Sequence, residues 1–586
     1  MTTLDGFQLY GFFSAGSRRV HAARHHIDSI NVFPVPDGDT GTNLSSTLSG
    51  ALASTIPGAS AALTLTRLAD AAILSARGNS GVIFAQFITG LSESVRSTEL
   101  RTYEFIEAVH HAYRRAKEAV TDPKEGTILS VIETWALSLS RKSQSTSSIT
   151  ELIGATREDL QRSLAETTEK LLELKNAGVV DAGAAGFIEF VEGGHDFLLN
   201  GASSYVQDTV EDFEDHAEAA PTQAPGYRYC VEAIVAGDSI HAENVRQILL
   251  QSGDCLIVAG GKSRIKIHIH TDKPDEIMEK LSVFGMVTGQ KADDMMLQFL
   301  DAHDRKAKTA IVTDSSCDLS QELLEKFRIH VVPLYILAQG SEYLDKLTID
   351  SSRLRNLSEG TGTFPKTSQA SAAAFSRLYM NLMSHYESAI AIHLSSSMSG
   401  TLTASRKEAE KLGNTVAVFD SKHLSGSLGL IVLRAAEAAE EGHSREEIME
   451  KLPEWSKKAR ILVSVTSLKY MVKGGRVSPL KGKLAQILNL KPIVSVDGNG
   501  KSILYGKAFS EKANLDTMIK MVGEDHAKNP LRWYAVGHAG VPEKALSFAA
   551  RLERKLGFKP LYITEISSVV ALNSGPGAIS VVTMAE

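Results

Sequence analysis

The chain of 586 residues, 43% hydrophobic and 22% charged, has room for roughly four folding units of about 150 residues, each able to bury its own core. Its net charge of -7 excludes a general nucleic-acid binder, which needs a basic surface to neutralise phosphates. Three scattered cysteines (Cys230, Cys255, Cys317), no apolar run of about 18 residues and no basic start before an apolar core exclude a disulfide framework, a transmembrane span and a signal peptide; a cytoplasmic protein with at most peripheral membrane contact is expected.

From residue 7 to about 199, apolar positions recur at helical spacing, with abundant Ala and Leu, glycine-rich breaks and few strand signals. Within this stretch, residues 31–43 read NVFPVPDGDTGTN. Asp37 and Asp39 flank Gly38, so a tight turn aims both carboxylates at one divalent cation. Hard oxygen ligands on a short acidic turn suit Mg²⁺, which completes its octahedron with water and substrate phosphates. Gly41, Thr42 and Asn43 then enter an apolar run, where backbone N–H groups and hydroxyls hold phosphate oxygens. An ordinary Pro-Asp-Gly turn has the same composition, and later segments separate the two readings. ARGNSGVIF at residues 76–84 places Gly78, Asn79, Ser80 and Gly81 at an element break after a helical run, as a second phosphate loop would. KEGTILSVIETW from Lys124 and NAGVVDAGAAGF from Asn176 repeat the combination of glycine, hydroxyl or carboxylate, and apolar run.

Taken in order, these four segments resemble the nucleotide-binding subunit of dihydroxyacetone kinases, and more closely the kinase half of bacterial fatty acid kinases. The resemblance implies an all-α helical barrel over residues 1–200 that holds MgATP at one end. It assigns Asp37 and Asp39 to Mg²⁺, Thr42, Asn43, Asn79 and Ser80 to the phosphates, and Thr127, Asp181 and Gly183 to the neighbourhood of the nucleotide, with Asn31 also among the cofactor-binding residues. Two positions depart from the pattern. The third aspartate of dihydroxyacetone kinases is replaced by Val32, leaving Asn31 or Asp28 to stand in, and a glycine of the last motif is Ala184.

Residues 201–225 contain no Lys or Arg, six acidic residues and two prolines, the composition of a linker. From Tyr227 the pattern alternates through YRYCVEAIVA, CLIVAGG and RIKIHIHTD, interleaved with helical segments at 242–251 and 274–283, which predicts a small α+β module over residues 226–302. In RIKIHIHTD a strand buries Ile265, Ile267 and Ile269 and turns Lys266, His268 and His270 to the opposite face. With Cys230 on a second strand, one thiolate and two imidazoles make a zinc set whose fourth position falls to water or a carboxylate such as Glu232. Solvent-facing histidines and a core cysteine have the same spacing. The run resembles the middle module of fatty acid kinases, whose matching Cys and two His bind structural zinc. Gly261, Lys262 and Ser263 imitate the end of a Walker loop, but Leu256 stands where its first glycine is needed.

After Lys308 strand, turn and helix units alternate, which argues for a mostly parallel sheet with ligands beyond the carboxyl ends of its strands. TDSSCDLS, VVPL, FPKTSQAS, SSSMSGT, DSKHLSGSLG, KGGRVS and SGPGA occur in this order over residues 309–586 and resemble the DegV family of fatty-acid-binding proteins. The resemblance implies a two-part α/β fold enclosing an acyl chain, with Thr367, Ser395 and Ser396 on the carboxylate and Arg476 as a nearby cation. Asn573 replaces a histidine common before SGPGA; it donates a hydrogen bond but carries no proton.

The expected architecture is therefore a helical barrel, a small α+β module and a two-part α/β domain, a fusion of a fatty acid kinase with the DegV-type protein that presents its substrate. The expected reaction is ATP-dependent phosphorylation of a long-chain fatty acid to an acyl phosphate for phospholipid synthesis. A homodimer and a downstream acyltransferase are the expected partners. A lipid carrier with a regulatory ATP site and a dihydroxyacetone-type metabolite kinase are the alternatives.

Overall fold

The structure is a computed structural model and describes residues 1–34, 38–201, 224–261, 263–360, 364–475 and 490–586. Asp37, Arg476, Lys262 and most of the acidic linker thus lie outside the described residues. The chain divides into two units, residues 1–299 and 300–586.

In the first unit, apolar periodicity produces α1 (Gly6–Ser29), α2 (Thr40–Ala53), α3 (Ala61–Ser75), α4 (Gly78–Ser94), α5 (Thr102–Ala119), α6 (Ile128–Lys142), α7 (Ile149–Ala155), α8 (Arg157–Lys170), α9 (Leu172–Ala177) and α10 (Ala182–Asn200). Their inward stripes meet around an aromatic cluster. Phe190 packs edge-on against Phe13 at 5.2 Å and Phe84 at 4.8 Å, and Phe187 packs against Phe87 at 5.4 Å and Trp135 at 5.6 Å. α1 and α10 lie so close that a Cβ on Gly193 would sit 2.6 Å from the Ala15 carbonyl oxygen and 2.9 Å from the Gly16 Cα. Among the described residues of this helical part, the only strands are β1 (Thr3–Leu4) and β2 (Leu100–Arg101), a short antiparallel pair.

The middle module carries β3 (Tyr229–Ala236), β4 (Asp254–Gly260), β5 (Arg264–Thr271) and β6 (Met286–Asp294) in the antiparallel order β4-β5-β3-β6, with α11 (Ala242–Leu249), α12 (Pro274–Ser282) and α13 (Met295–His303). Ile265, Ile267 and Ile269 are buried, as alternation requires. The opposite face is not open to solvent. Lys266, His268 and His270 are only 6%, 2% and 7% exposed. The sheet is laid against the helical domain: Ile257 and Ala259 of β4 join the helical core, Thr121 donates to the Leu256 carbonyl at 2.7 Å, and Arg115 donates to the Gly260 carbonyl at 3.2 Å.

The second unit begins with a parallel sheet, order β13-β12-β7-β8, of β7 (Thr309–Asp314), β8 (His330–Val332), β12 (Ser388–His393) and β13 (Val416–Asp420). Between them in sequence, β9 (Tyr335–Ala338), β10 (Ser341–Leu344) and β11 (Lys366–Ser368) form a small antiparallel sheet. A third sheet holds β14 (Ala459–Ser464), β15 (Lys491–Val496), β16 (Ser502–Ala508), β17 (Leu531–His538), β18 (Ile563–Glu565) and β19 (Ile579–Ala585), ordered β16-β15-β14-β19-β17-β18. It is antiparallel except for β17–β18, so the expected parallel pattern holds for the first sheet and not for this one. The helix Ser425–Glu440, buried along nearly its whole circumference, packs against both large sheets. No helix among the described residues is long and apolar enough to cross a membrane.

Gly193→Val forces a branched side chain onto the α1 backbone. It is expected to destabilise the helical domain by about 1–3 kcal/mol, read as a lower urea midpoint by circular dichroism.

Candidate functional site

The first site is built from helix starts. A Cβ on Gly78, whose φ is +56°, would lie 2.3 Å from Asn43 Nδ2, so the first turns of α2 and α4 meet at a backbone that only glycine adopts without strain. Thr40 Oγ1 and Ser80 Oγ stand 3.5 Å apart across the same junction. The first turns of α6 and α10 also meet, with a Cβ on Gly183 falling 3.2 Å from Ile128 Cβ, and α10 reaches α2 where Gly186 faces Leu44. Four helix N-termini therefore share one end of the barrel, and each brings N–H groups that have no partner within its own helix and a partial positive charge. Asn79 adds a buried side-chain oxygen with no hydrogen-bond partner, an orphan that a ligand or cation would satisfy.

The assigned residues do different work here. Asn43 and Ser80 sit at the α2–α4 junction, and Asp39 is the residue from which α2 starts. Asn31 is buried just after α1. Asp28, one of two residues expected to stand in for the missing aspartate, is committed to α2: it accepts from Gly41 N at 2.6 Å, Thr42 N at 3.0 Å and Thr42 Oγ1 at 2.8 Å. Burial pushes its carboxyl above the ordinary range while these bonds pull it back. Thr42 is thus held by Asp28 as well as lying at the helix start. Asp181 caps α10 through Ala184 N at 2.7 Å and is buried, which drives it up to about 6 against its backbone hydrogen bonds. Thr127 precedes α6 and donates to the Lys124 carbonyl at 2.9 Å.

Beside this end of the barrel lies the Cys/His group. The candidate ligand atoms of Cys230, His268 and His270 all lie within 4.8 Å of one another, and Cys230 Sγ is 3.9 Å from His268 Nδ1. Register explains the meeting: Cys230 pairs with His270, and Glu232 with His268, across β3 and β5. Burial lowers the His268 pKa and keeps the ring neutral, as ligation requires, and its Nε2 has no partner. His270 is oriented by Asp254 at 3.2 Å, the carboxylate support that ligating histidines use. These donors fit one metal ion. Glu232, offered from sequence as a fourth ligand, is instead paired with Lys266 at 3.0 Å, although its carboxylate also lies 3.5 Å from His268 Nδ1.

The second unit holds a cavity of about 260 Å³ between its sheets. Leu394, Ile461, Val463, Val494, Ile566 and Val569 give it an apolar wall, and hydroxyls of Ser316, Thr367, Ser425, Ser574 and Ser580 interrupt that wall. Thr367 and Asn573, both expected from sequence, are on the lining. Ser395 and Ser396 are not. Ser395 is fully buried and accepts from Ser397 N at 3.2 Å, and Ser396 Oγ donates to Asp420 at 2.5 Å, so both hydroxyls organise the loop after β12 rather than facing the cavity.

Comparison with known proteins matches this organisation. Residues 34–196 fit the model of the DAK2 domain, residues 226–301 that of the FakA-like middle domain of fatty acid kinases, and residues 308–586 that of the Uncharacterised protein, DegV family. DegV domain-containing protein SA1258 of Staphylococcus aureus (strain N315) is 31% identical over 277 residues, 47% of this chain and 99% of that protein. The chain belongs to the DegV family. The chain is also similar to Protein YloV of Bacillus subtilis (strain 168), 32% identical over 326 residues, 53% of this chain and 58% of YloV. Among solved structures, the fatty-acid-binding DegV family protein of Thermus thermophilus has 27% identity, a TM-score of 0.45, and coverage of 48% of this chain and 100% of its own. Kinase-family domains and a DegV domain are thus fused in one chain.

Sequence reasoning missed the carboxylates beneath the DegV cavity. Asp314 accepts from Ser316 Oγ at 2.5 Å, Leu394 N at 2.9 Å and His393 Nδ1 at 3.1 Å. Asp318 accepts from Ser425 Oγ at 2.6 Å and Ser567 N at 2.7 Å and pairs with Lys346 at 3.2 Å. Asp345 accepts from Ser315 Oγ at 2.6 Å. Two of these aspartates lie within TDSSCDLS, and their flanking serines are the available signal.

Burial pushes Asp345 up to about 7, so the folded chain keeps a proton that the unfolded chain has released. Stability contributed here is lost as pH rises from about 4 to about 7 and is level above that. Asp345→Asn, which keeps the neutral shape, is expected to raise the urea midpoint of the DegV half increasingly over that window, with a constant gain at higher pH.

Proposed function

We propose that the chain is a self-contained fatty acid kinase, catalysing ATP + fatty acid → ADP + acyl phosphate. The observation that carries this reading is the fusion itself: a kinase-family domain with four helix starts gathered at one end, on the same chain as a DegV domain with an apolar, hydroxyl-studded cavity. A carboxylate oxygen of the fatty acid attacks the γ-phosphorus, and the bond to the β,γ-bridging oxygen breaks with its electron pair leaving on ADP. The acceptor is already a nucleophile, so the chain needs no general base.

Asp37 and Asp39 are the residues to hold Mg²⁺, which when bound supplies charge neutralisation at the phosphates. Asn43, Asn79 and Ser80, with the backbone N–H groups of Asn79 and Ser80 in the first turn of α4, orient the phosphate end. Asn31, Asp181 and Gly183 keep the surrounding helix starts in place, with Thr127 before α6. In the DegV half, Thr367 and Asn573 hold the carboxylate, with Arg476 as the cation that offsets its repulsion from the γ-phosphate. The apolar wall stabilises the alkyl chain by about 0.8 kcal/mol per buried CH₂, which is why a protein presents this substrate. The acyl phosphate is an activated acyl donor for an acyltransferase of phospholipid synthesis. Transfer runs within one chain or across a homodimer; in either case the tether raises the effective concentration of the acceptor. Cys230, His268 and His270 are the ligands of a structural zinc ion.

Incubating the purified chain with MgATP, a long-chain fatty acid and hydroxylamine is expected to trap the product as hydroxamate. Asp37→Asn and Asp39→Asn should reduce it by about a hundredfold or more. If ATP and fatty acid both bind and no hydroxamate forms, the chain is a lipid carrier with a regulatory nucleotide site. In a separate measurement, elemental analysis should find zinc on the wild-type chain and its loss in Cys230→Ser; equal zinc in both would exclude this ligand set.

A further inference from the structure

We propose that Glu232 and Lys266 of the middle module are positioning residues for nucleotide binding, clamping the backbone of the loop that carries Asn79 and Ser80. The inference rests on reading that loop as phosphate-binding.

Glu232 and Lys266 form an ion pair at 3.0 Å whose side chains are 9% and 7% exposed. Both ends of the pair also grip the loop at residues 76–81. Glu232 Oε1 accepts from the Gly78 N–H at 3.2 Å, and the Lys266 ammonium donates to the Ala76 carbonyl. The residue between them is tied to α2, since the Arg77 N–H donates to Thr47 Oγ1 at 3.1 Å. Three successive backbone groups are therefore fixed where α4 begins.

The chemistry of the first turn explains the consequence. Gly81 N already bonds the Arg77 carbonyl, leaving the N–H groups of Gly78, Asn79 and Ser80 without partners inside the helix. Glu232 takes the first. The next two remain in a turn whose start is held, with the Asn79 side-chain oxygen buried and unpartnered beside them. A carboxylate alone so near a phosphate site would repel the ligand; Lys266 neutralises it, and the pair offers the loop a donor and an acceptor without net charge. Arg77 supplies α4 with no side-chain cap, so the cap comes from the neighbouring module.

The test titrates the Mg²⁺ complex of a β,γ-imido ATP analogue calorimetrically into the full chain, as wild type, Glu232→Gln, Lys266→Met and the double variant, with palmitate titrations alongside. Each single substitution should raise the nucleotide Kd about tenfold to a hundredfold. The double variant, which leaves no unpaired buried charge, should raise it by less than the product of the singles. Palmitate affinity should not change. In the unmodified chain, residue-resolved amide exchange should find Gly78 slow before nucleotide is added, and Asn79 and Ser80 slow only afterwards. Nucleotide affinity equal to wild type in all three variants, or fast exchange at Gly78 in the unliganded chain, overturns the proposal and leaves the kinase reading standing. A wild-type chain that does not bind the analogue overturns both.

Discussion

Burying charged and polar side chains at a domain junction is costly unless each is paired, and the first unit depends on how β5 meets that demand. Lys266 and His268 face the helical domain together with Glu232 from β3. Burial alone would raise the Glu232 carboxyl, but Lys266 and His268 outweigh it and hold that group well below the usual range. With that pair formed, the middle sheet seats against the helices, β4 joins their core, and the loop before α4 acquires a fixed conformation. The Cys/His group and the helix starts are therefore neighbours for a physical reason: the same polar strand face carries the residues that reach both.

The DegV half solves a similar problem differently. Its cavity needs hydroxyls close to an apolar wall, and hydroxyls on flexible loops would turn to any partner. Asp314 and Asp318 fix two of them: Ser316 and Ser425 line the cavity while donating to these buried carboxylates. Asp318 also takes the Ser567 N–H, so one side chain joins the end of β7, the start of the helix Ser425–Glu440 and the segment before the cavity-lining Val569. Such shared acceptors stiffen a site that apolar packing alone would leave adjustable.

Periodicity made much of this legible in the sequence. Segments 242–251 and 274–283 become Ala242–Leu249 and Pro274–Ser282, and the three isoleucines of β5 point to the core, because spacing along one element decides both. The meeting of Cys230 with His268 and His270 was not decided by spacing, which suits solvent-facing histidines equally well; the resemblance to the fatty acid kinase middle module pointed to it, and the pairing of β3 with β5 brings the three together. What the other face of β5 meets was not legible, since only the docked helical domain turns two histidines and a lysine from surface to interior. A serine cluster after a strand looks the same in sequence whether its hydroxyls face a ligand or, as for Ser395 and Ser396 in this structure, the local backbone and Asp420. Asp28 gained its role from an α1–α2 approach that no local pattern encodes.

The strand order of the last sheet has a consequence for synthesis. β19 lies between β14 and β17, with Ile461 opposite Val582, and Ser580 of β19 is part of the cavity wall. Until it emerges from the ribosome, β14 and β17 both present unpaired edges and the apolar pocket has no floor. The helical and middle domains, being local in sequence, are complete long before. During synthesis the helical half can therefore fold while the sheet of the DegV half still lacks its central strand and exposes the facing edges of β14 and β17.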